Sequence, residues 1–149
     1  PGPTGGVAAS DAAIIAYGSM VYPAIEASDA LKLDGIEATV VNARFVKPLD
    51  EQTILDLARN HSLLVTVEEA YLAGGFGSAV LELLEANGLQ DKIKLVRMGV
   101  ADEIVTHGDP KLLLDHYGLS ADGIRDRVKR SLESLSDIAA NKNRLRAVK

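Results

Sequence analysis

Glu68 and Glu69 are adjacent carboxylates at the end of an apolar run, and the glycine-rich stretch Gly74-Gly75-Phe76-Gly77-Ser78 follows within a few residues. Two chemistries fit those residue types. A carboxylate pair suits general acid–base work, and a glycine turn that opens a helix presents free amides to a phosphate. The spacing argues against both. Consecutive strand residues point to opposite faces, so the two carboxylates diverge if the strand runs through them. One is then free to line the strand-end crevice while the other caps a helix or pairs with a base, with Arg44 and Arg97 as the expected partners. In the glycine stretch, Gly75 and Gly77 match the first two glycines of a dinucleotide fingerprint, but Val80 stands at the third. The stretch also follows the third predicted strand rather than the first, and it lacks the Gly-Lys-Ser/Thr of a nucleoside-triphosphate loop. The alternative reading is packing: the glycines permit a tight turn and a close helix–sheet approach.

The other reactive side chains stay isolated. The three histidines, His61, His107 and His116, have no i,i+4 partner and no carboxylate cluster that would complete a metal site. His61 suits a helix C-terminus, His116 reads as a helical surface residue, and only His107, in "THGDP", falls in a strand-end loop. Ser19 has no nucleophile-elbow frame around it. The chain contains no cysteine, which removes disulfides and thiolate metal sites.

The elements that must position these residues alternate regularly. Apolar or β-branched runs at Ala12–Gly18, Glu37–Ala43, Leu63–Glu68 and Lys92–Met98 read as strands. Between them lie helical patterns. Pro23 opens the first, with Ala24, Ala27, Ser28 and Leu31 on one face and Gly35 as its stop. Asp50 caps the second, and Ile54, Leu57 and Ala58 form its buried face. The third runs from about Gly77 to Asn87 and buries Val80, Leu83 and Leu84. Asp109-Pro110 starts a short fourth helix. Ser120 caps a fifth that reaches about Asn141, with Ile124, Val128, Leu132, Leu135 and Ile138 or Ala139 inward. Such alternation predicts a three-layer α/β/α domain around a parallel sheet, with four strands in the order 2-1-3-4. Ligands of such sheets bind beyond the carboxyl ends of the strands.

Composition bounds the function classes. With 47% hydrophobic and 25% charged residues, the chain is an ordinary globular domain. The formal net charge is −5, of which Lys142, Arg144, Arg146 and Lys149 contribute +4, leaving −9 on the rest. A body that acidic excludes a nucleic-acid face. No apolar run approaches the roughly 20 residues of a membrane span. Residues 1–10 read as a linker or foreign residues, residues 11–141 as one domain, and 142–149 as a solvated basic tail.

Several motifs carry more than their physics. "AIIAYGSMVYPAIEA", "ATVVNARFVKPLDEQTILDLARNHSLLVTVEE", "GGFGSAVLELL" and "HGDPKLLL" closely resemble the C-terminal, third domain of the 1-deoxy-D-xylulose-5-phosphate synthase family, one of the transketolase-like thiamine-diphosphate enzymes. The resemblance covers roughly Asp11 to Leu135. It implies a parent transferase that joins pyruvate to glyceraldehyde 3-phosphate with loss of carbon dioxide, feeding isoprenoid synthesis in the bacterial cytoplasm or plastid stroma. It also implies thiamine diphosphate and Mg2+ in the parent, held by the two preceding domains, and a third domain that supports a homodimer. The family's Gly-Asp-Gly cofactor motif is not in this chain; Gly108-Asp109-Pro110 is a different sequence. No catalytic, cofactor or metal residue is therefore assigned here, and the chain alone is expected to be inactive. The family's third domain also usually opens with a short edge strand, which "PGPTGGVAA" does not resemble.

What remains is a set of interface candidates: Glu69, Tyr71, Leu72, Phe76 and His107. Tyr71, Leu72 and Phe76 are large apolar residues in a connection, where polar ones are usual. Two placements are open to them, back onto the core or outward as a patch for a neighbouring domain or second subunit. The rival readings are a free-standing nucleotide- or anion-binding module using Gly74–Ser78, and the equivalent domain of another thiamine-dependent enzyme such as transketolase.

Overall fold

The computed structural model describes residues 10–101 and 108–148. The expectations for the opening residues and for His107 lie outside them. Strands β1 (Ala12–Tyr17), β2 (Ala38–Ala43), β3 (Leu63–Tyr71) and β4 (Lys94–Val100) alternate with helices α1 (Val21–Leu33), α2 (Glu51–Asn60), α3 (Phe76–Ala86), α4 (Pro110–His116) and α5 (Ala121–Ala147). The sheet is parallel throughout, in the order β2-β1-β3-β4, as the sequence pattern predicts.

The apolar run of β1 is buried on both sides because helices cover both faces. Ile14, Ala16, Val65 and Val67 pack against Ala24, Ala27 and Leu31 of α1 and Ile124 and Val128 of α5. Ala13, Ile15 and Leu64 pack against Ile54 and Ala58 of α2 and Phe76, Val80 and Leu84 of α3. The caps fall where the sequence puts them. Thr53 N donates to Asp50 Oδ1 (3.2 Å), Lys111 N to Asp109 Oδ1 (2.9 Å) and Gly123 N to Ser120 Oγ (3.1 Å). Each satisfies an amide that has no intrahelical partner.

Three elements outrun their expected ends; β4 continues past Met98 to Val100. β3 passes Glu68 and continues to Tyr71. Between the pairs Val67↔Met98 and Tyr71↔Val100, Glu68, Glu69 and Ala70 of β3 stand opposite Gly99 alone, so the strand bulges at the carboxyl edge of the sheet. α5 continues past Asn141 to Ala147, so most of the expected tail is helical. Its inward stripe stops at Leu135. Ile138 is 48% exposed and Ala139 is exposed too, because α5 has by then run past the sheet it covers.

α5 is pinned to the end of α1 by charge. Asp34 accepts from Arg125 Nε (2.8 Å) and Lys129 Nζ (3.3 Å). The hydrogen bond from Arg125 holds the Asp34 carboxyl below the usual carboxylate range; partial desolvation opposes it and Lys129 reinforces it. A carboxyl whose folded pKa is lowered stabilises the fold above its unfolded pKa, about 3.9, and that contribution disappears as pH falls through the folded value. Asp34→Asn should therefore lower the melting temperature at pH 7. The gap between variant and parent should close progressively as melting is repeated from pH 5 downward. A gap independent of pH would show that the ion pairs contribute nothing.

Candidate functional site

The glycine stretch is filled from within the protein. Glu68 is 1% exposed, and its carboxylate accepts from the amides of Phe76 (2.8 Å) and Gly77 (2.6 Å), the first two residues of α3. The anion that the free helix-start amides would attract is thus a side chain of β3, placed where the positive end of the helix dipole favours it. Glycine is required for this approach. A Cβ on Gly75 would land on Glu68 Oε1, and one on Gly77 would lie 2.7 Å from Thr66 Oγ1 and 3.1 Å from the Arg97 stem. The packing reading holds, and the nucleotide-loop rival loses the amides it needs.

The rest of the loop is similarly tied. Leu72 O accepts from Ser78 Oγ (2.6 Å) and from Arg97 Nη1 (3.4 Å), which also reaches Ser78 Oγ (3.1 Å). Arg97 therefore braces the loop instead of pairing with a glutamate, and among the described residues Arg44 forms no ion pair. The two carboxylates diverge as strand geometry requires. Glu69 is exposed and accepts from Ser19 Oγ at 2.5 Å, which links the ends of β3 and β1.

The interface candidates separate. Phe76 is a correction: it is 2% exposed, stacked on Tyr17 with ring centroids 5.8 Å apart, and belongs to the core. As the first residue of α3 it points at the sheet, a placement its position in the sequence gap concealed. Leu72 is half-buried against Gly99. Tyr71 is 51% exposed. Beside it, Glu69, Val100, Leu113, Leu114 and Tyr117 line a shallow groove of about 250 Å³. Tyr22, Phe45 and Leu112 are also well exposed. Tyr22 follows β1, Phe45 follows β2 and Tyr71 ends β3, so three strands each bring an exposed aromatic side chain to the carboxyl edge, while Leu112 stands on α4. Sequence reasoning missed Tyr22 and Phe45, whose signal was an aromatic residue a few positions past a strand.

Among the described residues no group of three or more His, Asp or Glu is placed to hold a metal ion. The α3 amides, which could have faced a diphosphate, face Glu68. No helix among the described residues is long and apolar enough to cross a membrane.

This sheet order, with helices on both faces, defines an open, doubly wound α/β domain. The family model "Transketolase, C-terminal domain" matches residues 7–124, and the chain belongs to that family. Its similar relatives are 1-deoxy-D-xylulose-5-phosphate synthases. The chain is 52% identical over 119 residues to synthase 1 of Geobacter metallireducens, covering 80% of this chain and 19% of that protein. It is also 52% identical over 123 residues to the Heliobacterium modesticaldum synthase, covering 83% and 18%. Among solved structures, a split-gene transketolase described as an inactive β4 tetramer superposes with a TM-score of 0.75 at 35% identity, over 83% of this chain and 40% of that one. A Pichia stipitis transketolase variant shares the fold, at TM-score 0.60 and 20% identity over 83% and 16%. The chain spans about a fifth of the length of the curated relatives it matches.

If Glu68 is the internal cap, Glu68→Gln should destabilise the domain by about 1–3 kcal/mol, as expected when a charge-assisted hydrogen bond to buried amides is lost. Gly77→Val should cost a similar ~1–3 kcal/mol by overpacking. Denaturant melts read both. A Glu68→Gln melt coincident with the parent would remove the carboxylate from its structural role.

Proposed function

We propose that this chain is the docking and dimerisation domain of a 1-deoxy-D-xylulose-5-phosphate synthase. The parent transferase condenses pyruvate with glyceraldehyde 3-phosphate and releases carbon dioxide, with thiamine diphosphate and Mg2+ held by its other domains, in the bacterial cytoplasm or plastid stroma. The chain by itself is not catalytic. The observation that carries this reading is the apolar rim at the carboxyl edge, set in a chain that spans about a fifth of relatives to which it is half identical. Exposed aromatic and aliphatic side chains gathered on one edge mark a partner surface, and the rest of a longer polypeptide is the partner at hand. Tyr71 and Glu69 form the candidate contact, supported by the groove beside them; Leu72 backs it from inside. Within the assembled parent, the second subunit extends the same surface, giving a homodimer.

The test uses Tyr71→Asp. In the 149-residue chain an exposed position should tolerate it within about 0.5 kcal/mol. In the full-length parent a carboxylate buried without a partner costs several kcal/mol, so sedimentation should show dissociation and turnover should fall with it. Parent enzyme that keeps its sedimentation and turnover with Asp at this position would refute the docking role. A collapse of the isolated chain would place Tyr71 in the core.

A further inference from the structure

Arg97 of β4 and Arg127 and Arg130 of α5 line one concavity of about 430 Å³ beside the outer edge of the sheet, with Leu72 and Met98 as its apolar wall. Asp126 is the one acid among its described lining residues, so the three guanidiniums give it a formal charge of +2 in a chain whose net charge is −5. In a chain with 21 acids and 16 bases, three arginines lining one concavity would ordinarily be neutralised. Here none of the three is in an ion pair among the described residues. Arg97 uses Nη1 on Ser78 Oγ and Leu72 O, Arg130 directs Nε to the Asp126 carbonyl at 3.4 Å, and Arg127 makes no such contact.

Each guanidinium offers five N–H donors in a planar fork, so most of the donors in this concavity are unused. Arg127 and Arg130 are three apart and share a face of α5. Arg97, at the α3 side of the edge strand, is tied to Ser78 and Leu72, which fixes its position before any ligand arrives. Planar forks with free donors are the side chains best matched to the oxygens of a phosphate or carboxylate. A concavity of the sign opposite to the surrounding protein concentrates anions.

We propose that this concavity is an anion-binding site for a small phosphate monoester. The charge argues for a phosphate: the described lining residues supply +2, and a phosphate monoester carries about −1.5 to −2 at pH 7. The shape argues for an ester: about 430 Å³ falls within the range of small-molecule sites, roughly 300–1,000 Å³, and Leu72 and Met98 offer a surface to an organic group that inorganic phosphate would leave uncovered. The site lies outside the Glu68–α3 junction, whose amides are already occupied.

Phenyl phosphate and inorganic phosphate, titrated calorimetrically into the 149-residue chain at constant ionic strength set with chloride, test the assignment. Phenyl phosphate should bind saturably at one site and more tightly than inorganic phosphate. Arg127→Ala/Arg130→Ala should weaken it by about tenfold or more, as expected for two lost charge-assisted bonds. Arg146→Ala, near the free end of α5, should leave it within about twofold. Both arginines of the double variant are exposed, so the variant should melt like the parent. Non-saturable heats, or equal affinity in the double variant, overturn the site. Equal affinity for the two phosphates overturns the ester assignment. Altered self-association of the double variant without phosphate binding overturns it in favour of an acidic protein surface.

Discussion

The hydrogen bonds from the amides of Phe76 and Gly77 to the Glu68 carboxylate join the third strand to the third helix, and much of the carboxyl edge depends on that junction. A buried carboxylate is costly unless its oxygens are hydrogen-bonded. Helix-start amides are costly when buried without acceptors. Each group satisfies the other, and neither requirement can be met elsewhere without moving α3. The close approach that permits the bonds forbids a side chain at Gly75 and Gly77. It seats Phe76 against Tyr17 and presents Ser78 to Leu72 and Arg97. A loop with the composition of a phosphate cradle is thereby converted into a closed structural joint.

Function moves outward as a result. With the amides occupied internally, the carboxyl edge offers the exposed Tyr71, the groove beside it, and the exposed Tyr22 and Phe45 that follow β1 and β2. After the bulge at Glu68–Ala70, Tyr71 pairs with Val100 as the last residue of β3. On the docking role proposed above, this edge is where the domain meets its neighbours. The arginine-lined concavity on the far edge of β4 is a separate feature, distinguished from the rim by its charge.

The sheet was legible because its strands are short apolar runs separated by helical patterns, and parallel crossovers leave few alternatives. Caps at Asp50, Asp109 and Ser120 were legible because their chemistry is local. The third strand's true end was not, since a bulge opposite Gly99 depends on pairing that no local pattern encodes. The same holds for Glu68 and Glu69. Alternation correctly sent them to different sides, but only the fold shows that one meets amides eight and nine residues onward and the other meets Ser19, fifty residues back. Phe76 stayed open between core and surface because a helix-start residue was read as part of a loop. Ile138 and Ala139 continued a valid helical stripe, but the sheet that would bury them had already ended.

The account rests on Glu68 holding the first amides of α3. Amide hydrogen exchange on the 149-residue chain addresses this without any substitution, because a hydrogen-bonded buried amide opens only with the unit that contains it. The amides of Phe76 and Gly77 should exchange as slowly as those of the β3 core around Val65, far more slowly than the amides of Ala73 and Gly74. Exchange at Phe76 and Gly77 as fast as in the preceding loop would mean that the carboxylate does not hold them, and would return the glycine stretch to the list of open anion sites.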